Sequence, residues 1–421
     1  MSVVRSNRIR GRVVVAALAT LTLTLTAACG SGGGSSSSNT SGKSTSASTA
    51  LAQLPVDKAT GTPIVVGLIN DDTSPLGNYS NVSRSVKVAV QYVNDNVGGA
   101  GGHPLKLVTC LSNGSSASSA NCAAQLLQQK PAVVVGGLDL GADGSVPALA
   151  KAGVPYVAGV AISSIELTSP DSFSFYSGSA GSVAAASAYV ATVLHAKKVA
   201  VVYTQSPQAQ LAAQYYGADV LKAAGVSNVS LVSSSSDETD LTGPVSDALK
   251  GGTDTVISIM AANDCASVMQ ARQSLGSTAR FVFSGACADP DVLKAGGAGA
   301  EGTYFALVQT PPNGDDAQTT AYHEAMAAYD SSLPLSGFAQ EGFGTVVTLA
   351  RILATAASPD SPASVTTALK AVKGLASDMG PEITCDGKQM PGLPALCTNQ
   401  ARIAQVQNGV LKDIGGRWYT G

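Results

Sequence analysis

Residues 63–69, Pro-Ile-Val-Val-Gly-Leu-Ile, form a short β-branched run, and from 82 to 97 valines return at helical spacing (Val86, Val90, Val93) before Gly98-Gly99. A continuous apolar run of this length fits a strand buried on both faces, and glycine stops the helix that follows it. This βα unit is then repeated. Strands are expected at 105–108, 132–135 and 154–157, with helices near 119–129 and 145–152 between them. A second series follows residues 173–176: helix near 184–194, strand 199–203, helix near 211–224, strand 229–232, helix 241–250, strand 255–259, helix 266–275 and strand 281–283. Another strand is expected at 302–308, and helices near 319–329, 345–357 and 362–372. Two apolar runs, 403–406 and 410–414, flank Asn408-Gly409, a strong hairpin signal. Strand–helix alternation with short loops makes a parallel sheet with helices on both faces. The expected fold is therefore α/β, with two doubly wound parallel-sheet lobes. Ligands of such sheets sit beyond the carboxyl ends of the strands.

Composition agrees. The 421 residues are 45% hydrophobic but only 5% aromatic and 13% charged, with 45 glycines. A disordered chain would be charged and poor in aliphatics, whereas small aliphatic residues suit tightly packed βα units. In the first 28 residues only Arg5, Arg8, Arg10 and Arg12 are charged, so losing that segment takes the formal net charge from −3 to −7. An acidic chain lacks the positive field that nucleic acid requires, and no nucleic-acid partner is expected.

Those four arginines precede an apolar run from Val13 to Leu25, then Ala27, Ala28 and Cys29. Basic, apolar and small residues in that order are a secretory signal peptide over residues 1–28, and the run is too short to span a membrane. The stretch Thr26-Ala27-Ala28-Cys29-Gly30 also resembles a bacterial lipobox, which implies that the Cys29 thiol is lipidated. Ordinary cleavage leaving a free thiol is the alternative. Residues 29–61, rich in Ser, Gly, Thr and Ala, are expected to be a flexible tether. The expected location is extracytoplasmic, anchored by lipid to the outer face of the cell membrane.

Six further cysteines form three local pairs: Cys110 with Cys122, Cys265 with Cys287, and Cys385 with Cys397. An even number in an exported chain indicates disulfides. Six cysteines allow fifteen connectivities, and short loops favour pairing of neighbours. No Cys-x-x-Cys occurs and the histidines (His103, His195, His323) are scattered, which argues against zinc. No cofactor is expected.

Three segments resemble type I periplasmic binding proteins. Ala152-Gly153-Val154-Pro155-Tyr156-Val157 is similar to that family's "aGvPyv" strand, Lys198-Val199-Ala200-Val201-Val202-Tyr203 to its "kkvaivy" strand, and Ala300-Glu301-Gly302-Thr303-Tyr304 to its "aeGvy" segment. The resemblance extends over about residues 62–415 and is greatest to the leucine/isoleucine/valine-binding branch, lipoproteins that deliver solutes to ABC importers. It implies a Venus-flytrap with three hinge crossovers, lobe I spanning 62–178 and 307–399 and lobe II spanning 179–306 and 400–421. It also implies a monomer that binds a small solute and docks on an ABC permease.

Site positions follow from the same resemblance. In lobe I they are Asp72 in the loop Asn70–Pro75, Tyr79, Asp139 in the loop Leu138–Gly141, and Ala161 and Ser163 around Ile162. In the family such loops supply amide and hydroxyl donors to a ligand carboxylate. In lobe II they are Gln208, Asn263 and Ala286. Amino-acid binders tend to carry Tyr-Gly where Gln208-Ala209 stands here, and an acidic residue at the place of Gly285. Both departures remove groups that an α-amino acid uses, so the expected solute is small and polar (an amino acid, an amide or a related compound) but not a simple branched-chain amino acid.

Each position has a plainer role beside it. Asp71 and Asp72 fit a solvated turn better than a catalytic pair, and Tyr79 fits surface packing as well as stacking on a ligand. Gln208 fits a helix start, Asp264 an N-cap, and Glu341 a helix start near the hinge. His195 and Trp418 are expected to be structural. No Ser-His-Asp grouping, phosphate loop or metal spacing is visible, and an enzyme is not expected. Two alternatives remain open. A ligand-binding sensor lipoprotein would act on a signalling partner, and an exported hydrolase of similar fold would need a nucleophile and base.

Overall fold

Alternation within the strands decides which side chains each face covers. The computed structural model describes residues 54–75, 77–335 and 337–421. Cys29, the 1–28 segment and the tether as far as residue 53 lie outside the described residues.

The first sheet takes β1 (Ile64–Asn70), β2 (Leu105–Leu111), β3 (Val133–Gly136), β4 (Tyr156–Ala158) and β5 (Ser172–Ser174), interleaved with α1 (Ser80–Asn96), α2 (Ser116–Leu127), α3 (Ala142–Lys151) and α4 (Ser164–Thr168). All its strand pairs are parallel, in the order β2-β1-β3-β4-β5. The chain then builds α5 (Gly178–Thr192), β6 (Lys198–Thr204), α6 (Pro207–Leu211), α7 (Asp219–Ala223), β7 (Asn228–Ser234), α8 (Thr242–Ala248), β8 (Thr255–Ile259), α9 (Ala262–Ser274), β9 (Arg280–Ser284), α10 (Pro290–Gly296) and β10 (Tyr304–Leu307). It returns to the first sheet with α11 (Ala317–Tyr329), α12 (Phe338–Leu353), α13 (Pro362–Lys370) and a small pair, β11 (Leu375–Ala376) and β12 (Glu382–Ile383). It closes on the second sheet with β13 (Gln400–Gln407) and β14 (Val410–Thr420), giving the order β14-β13-β10-β9-β8-β6-β7.

Each sheet has a core on both faces. In the first, Ile64, Val66, Leu68, Val133 and Val135 join α1 and α11 to α13, while Ile69, Val134 and Tyr156 join α2 and α3. In the second, Val202, Val256, Phe281, Phe283 and Phe305 join α8 and α9, while Val199, Val201 and Val282 join α5. Phe283 stacks on Phe305 with ring centroids 5.5 Å apart. Among the described residues the chain passes between sheets three times: after β5, after β10 and before β13.

The Gly98-Gly99 stop behaves as expected, with φ of 72° and 71°. The hairpin turn has φ of 56° at Asn408 and 72° at Gly409, and both amides donate to the Glu301 carboxylate at 2.9 and 3.0 Å. Other expectations need correcting. The second sheet is parallel only as far as β10, since β13 and β14 add antiparallel to its edge. The helix expected near 211–224 is broken by a π-helical turn over Ala212–Ala218. Helix α12 starts at Phe338, before the expected 345 and with Glu341 in its first turn, and Gly342 and Gly344 let it lie close to its neighbours. A Cβ at Gly342 would meet the Ser85 hydroxyl at 2.7 Å, and one at Gly344 the Tyr176 hydroxyl at 2.1 Å. Asp264 is not an N-cap. That place belongs to Ala261, and Asp264 lies in the first turn of α9.

Three disulfides join Cys110 to Cys122, Cys265 to Cys287 and Cys385 to Cys397. The neighbouring pairing chosen on loop length is the one present.

Candidate functional site

Strand order locates the crevices. In the first sheet the direction of winding reverses between β1 and β3, and in the second between β6 and β8. At such a switch point the loops leaving adjacent strands diverge and open a crevice at their carboxyl ends. The loops there are 71–79 and 137–141 in the first lobe, and 205–206 and 260–261 in the second. The candidate residues Asp72, Tyr79, Asp139, Gln208 and Asn263 all lie in these loops or in the first turn after them.

In the first lobe the buried side chains fasten the loops together. The Asn70 side chain accepts from the Leu138 amide at 2.9 Å, and donates to the Tyr79 carbonyl at 3.0 Å and to Asp72 Oδ1 at 2.7 Å. Asp71, fully buried, accepts from the Leu140 amide at 2.8 Å, the Gly114 amide at 3.1 Å and the Ser112 hydroxyl. It thereby ties the loops after β1, β2 and β3 to one carboxylate. Asp139 is also fully buried. It accepts from the Ser145 hydroxyl at 2.6 Å, the Gly141 amide at 3.2 Å and the Ser119 hydroxyl. Burial pushes its carboxyl up, and the serine donors oppose that. The Asp139 side chain is thus turned into the lobe, and Asp72, half-buried, is the carboxylate of this set nearer solvent.

Around these anchors lies an apolar rim. Val82, Leu138 and Val160 are buried, with Tyr79, Leu140, Ile162 and Phe338 packed on them. Tyr79 meets Phe338 edge-on, with ring centroids 6.3 Å apart. Burial and the nearby Asp71 raise the Tyr79 hydroxyl. Ala161 is buried and Ser163 half-buried, and Ser163 caps α4 in a capping box with Glu166. Phe338 and Glu166 were missed by the sequence reasoning. Ser163-Ser164-Ile165-Glu166 spells the capping box, so Glu166 had a signal. Phe338 is the first residue of α12, ahead of the expected start of that helix.

In the second lobe Gln208 is exposed in the first turn of α6, where the Ser206 hydroxyl accepts from the Ala209 amide at 3.2 Å. Asn263 lies in the first turn of α9, and Ala286 in the turn after β9. The Cys265–Cys287 disulfide bolts these two segments to each other. Burial raises the Asp264 carboxyl. At Gly285 a Cβ would lie 3.0 Å from the Ala306 carbonyl oxygen and 3.5 Å from Leu307 Cα. A side chain at this position would press on the backbone of β10.

The crossovers carry buried polar groups. The Tyr176 hydroxyl donates to the Asp378 carbonyl at 2.9 Å, the Thr310 amide to the Met379 carbonyl at 2.8 Å, and Gln340 Nε2 to the Thr310 carbonyl at 2.9 Å. Burial pushes the Glu341 carboxyl up to about 8. Asp378 is pushed up to about 6 by burial, against the pull of Arg351.

The profile of the family described as periplasmic binding protein matches residues 63–410. This chain belongs to the periplasmic binding protein family. Its fold is the type I, leucine/isoleucine/valine-binding-protein-like one. No curated protein sequence matches this family member. Among solved structures, it is similar to a leucine-binding protein, LivK, from Thermotoga maritima, with 16% identity, a TM-score of 0.68, and 85% of this chain and 99% of that chain covered. It is similar to the branched-chain amino acid transporter substrate-binding protein LivJ from Streptococcus pneumoniae in complex with isoleucine (19% identity, TM-score 0.67, 86% and 99% covered). A third similar structure is an ABC transporter solute-binding protein from R. palustris in complex with 4-hydroxybenzoate (19% identity, TM-score 0.69, 85% and 97% covered). At these identities the likeness of this periplasmic binding protein to them is one of fold.

Proposed function

We propose that this protein is an extracytoplasmic lipoprotein that captures a small polar solute between its two lobes and delivers it to an ABC importer, without catalysing a reaction. The observation that carries this reading is that both switch points coincide with the polar loops of a binding-protein fold. Asp72, Tyr79, Ala161, Ser163, Gln208, Asn263 and Ala286 are the proposed contacts, with Phe338 as an apolar wall beside Tyr79. Asp139 belongs to the same site as the anchor of its loop. The proposed lobes divide at the boundaries expected from the sequence, 62–178 with 307–399 and 179–306 with 400–421, and the protein acts as a monomer.

The solute is an amide, a carboxylate, or an amino acid other than a simple branched-chain one. An enclosed ammonium needs a charge partner, because an unpaired buried charge costs several kcal/mol. Gly285 supplies none and Asp139 is committed to its serines, so the charge partner of an amino-acid solute would have to be Asp72 or Asp264 on another wall. A thermal-shift panel of amino acids, amides, polyamines, sugars and aromatic acids tests this. A captured solute at 100 times its Kd should stabilise the fold by about 2.7 kcal/mol. Leucine, isoleucine and valine should give no calorimetric signal in the micromolar range. Micromolar binding of any of the three would overturn the proposed solute class, and a panel without a binder would count against capture itself.

The anchor is proposed to be Cys29, lipidated after removal of residues 1–28, with residues 29–61 as the tether. Two acyl chains hold a protein on a bilayer where one does not. Cys29→Ala should therefore shift the protein from the membrane fraction to the medium or block its processing. An unchanged membrane fraction would refute the anchor.

A further inference from the structure

Glu166 is fully buried in α4, and its carboxyl is wholly engaged. Oε2 accepts from the Ile162 amide at 3.1 Å, the Ser163 amide at 2.9 Å and the Ser163 hydroxyl at 2.9 Å. Oε1 accepts from the Tyr156 hydroxyl at 2.9 Å. The Ser163 hydroxyl in turn accepts from the Glu166 amide at 3.3 Å. One carboxyl thus joins core strand β4 to the 161–163 loop, a wall of the proposed site. We propose that Glu166 is a positioning residue that latches this loop and couples its opening to proton release.

The charge around the latch supports the coupling. Burial raises the Glu166 carboxyl from its ordinary 4.5 to about 7, and Asp139 on the loop entering α3 adds to this, while the Ser163 and Ile162 donors oppose it. Tyr156 on β4 faces Glu166, Asp139 and Asp71, all acidic. The charged residues of α3, Asp143 and Lys151, are exposed, and β5 has no titratable side chain. A proton on Oε1 lets the Tyr156 hydroxyl accept in place of donating, and Oε2 keeps its three donors. When the loop opens, water reaches the carboxyl and returns it to the ordinary range. The closed loop therefore holds the proton more tightly than the open one. By linkage, closure is fully favoured below the ordinary value and weakens as pH rises to about 7, with no further change above it. The functional consequence rests on the solute-capture reading: capture through this loop is firmer in mild acid.

Amide hydrogen exchange of the peptide spanning residues 159–166 tests the latch in the full chain from pH 5 to 8, after correction for intrinsic rates. Opening should rise roughly ten-fold per pH unit from 5 towards 7 and then level off. Glu166→Gln, a neutral isostere, should keep the loop protected and flatten that response, whereas Glu166→Ala should loosen the loop at every pH. The same pH response in wild type and Glu166→Gln would overturn the proposal, as would wild-type protection in Glu166→Ala. Exchange needs no solute, so its failure leaves solute capture standing. A solute panel without a binder likewise leaves the latch standing.

Discussion

Asp71→Ala should destabilise the protein by about 3 kcal/mol or more. The carboxylate is fully buried and accepts from Ser112, Gly114 and Leu140, so alanine leaves three donors without a partner. Each buried group left unsatisfied costs about 1–3 kcal/mol. The donors sit on the loops after β2 and β3, and Asp71 itself follows β1, so the lost bonds also release these loops from one another. Asp71→Asn keeps an acceptor oxygen but brings an amide donor against other donors, and should fall between wild type and alanine. Urea unfolding measures both, as a lowered midpoint at unchanged slope. A loss below about 1 kcal/mol in Asp71→Ala would mean that the loops hold together without the carboxylate.

The second large effect is expected from Cys265→Ser/Cys287→Ser. Both cysteines are fully buried in the core of the second sheet, and the bond closes a loop with a separation of 22 residues. Loop-closure entropy assigns such a cross-link about 3 kcal/mol. The consequence extends to the site, because the bond fixes the first turn of α9 to the turn after β9, where Asn263 and Ala286 lie. The double variant should unfold at lower urea and bind solute more weakly. If stability fell while affinity stayed at the wild-type value, these segments would be no part of the site. Unreduced peptide mapping checks the pairing itself, and a peptide joining Cys110 to Cys265 would contradict it.

The fold was legible where sequence period and burial agree. Val-rich strands such as 133–136 are buried on both faces, and an unbroken apolar run is how the chain encodes that. Glycine punctuation at 98–99 and 409 marked turns for the same local reason. Two features escaped because nothing local encodes them. Glu341 marked a helix start and lies in the first turn of α12, but the close approach of Tyr176 and the Asp378 carbonyl at Gly344 is tertiary and no local pattern carries it. The antiparallel addition of β13 to β10 is a matter of which edge is free, which period does not carry. For the site, the loops were legible from strand ends, but the direction of each side chain was not. Asp72 and Asp139 look alike in sequence. Ser119 and Ser145, on α2 and α3, draw Asp139 inward, and that depends on how the helices pack.

Hydrogen exchange with and without the solute that most stabilises the fold tests the central claim most directly. Capture between the lobes predicts that one solute slows exchange on both sides at once, in the 137–141 and 161–163 loops and in segments 205–208 and 262–264, with the two cores unchanged. Protection confined to one lobe, or appearing in the groove between α10 and the β13–β14 hairpin lined by Leu293, Val406 and Leu411, would contradict it.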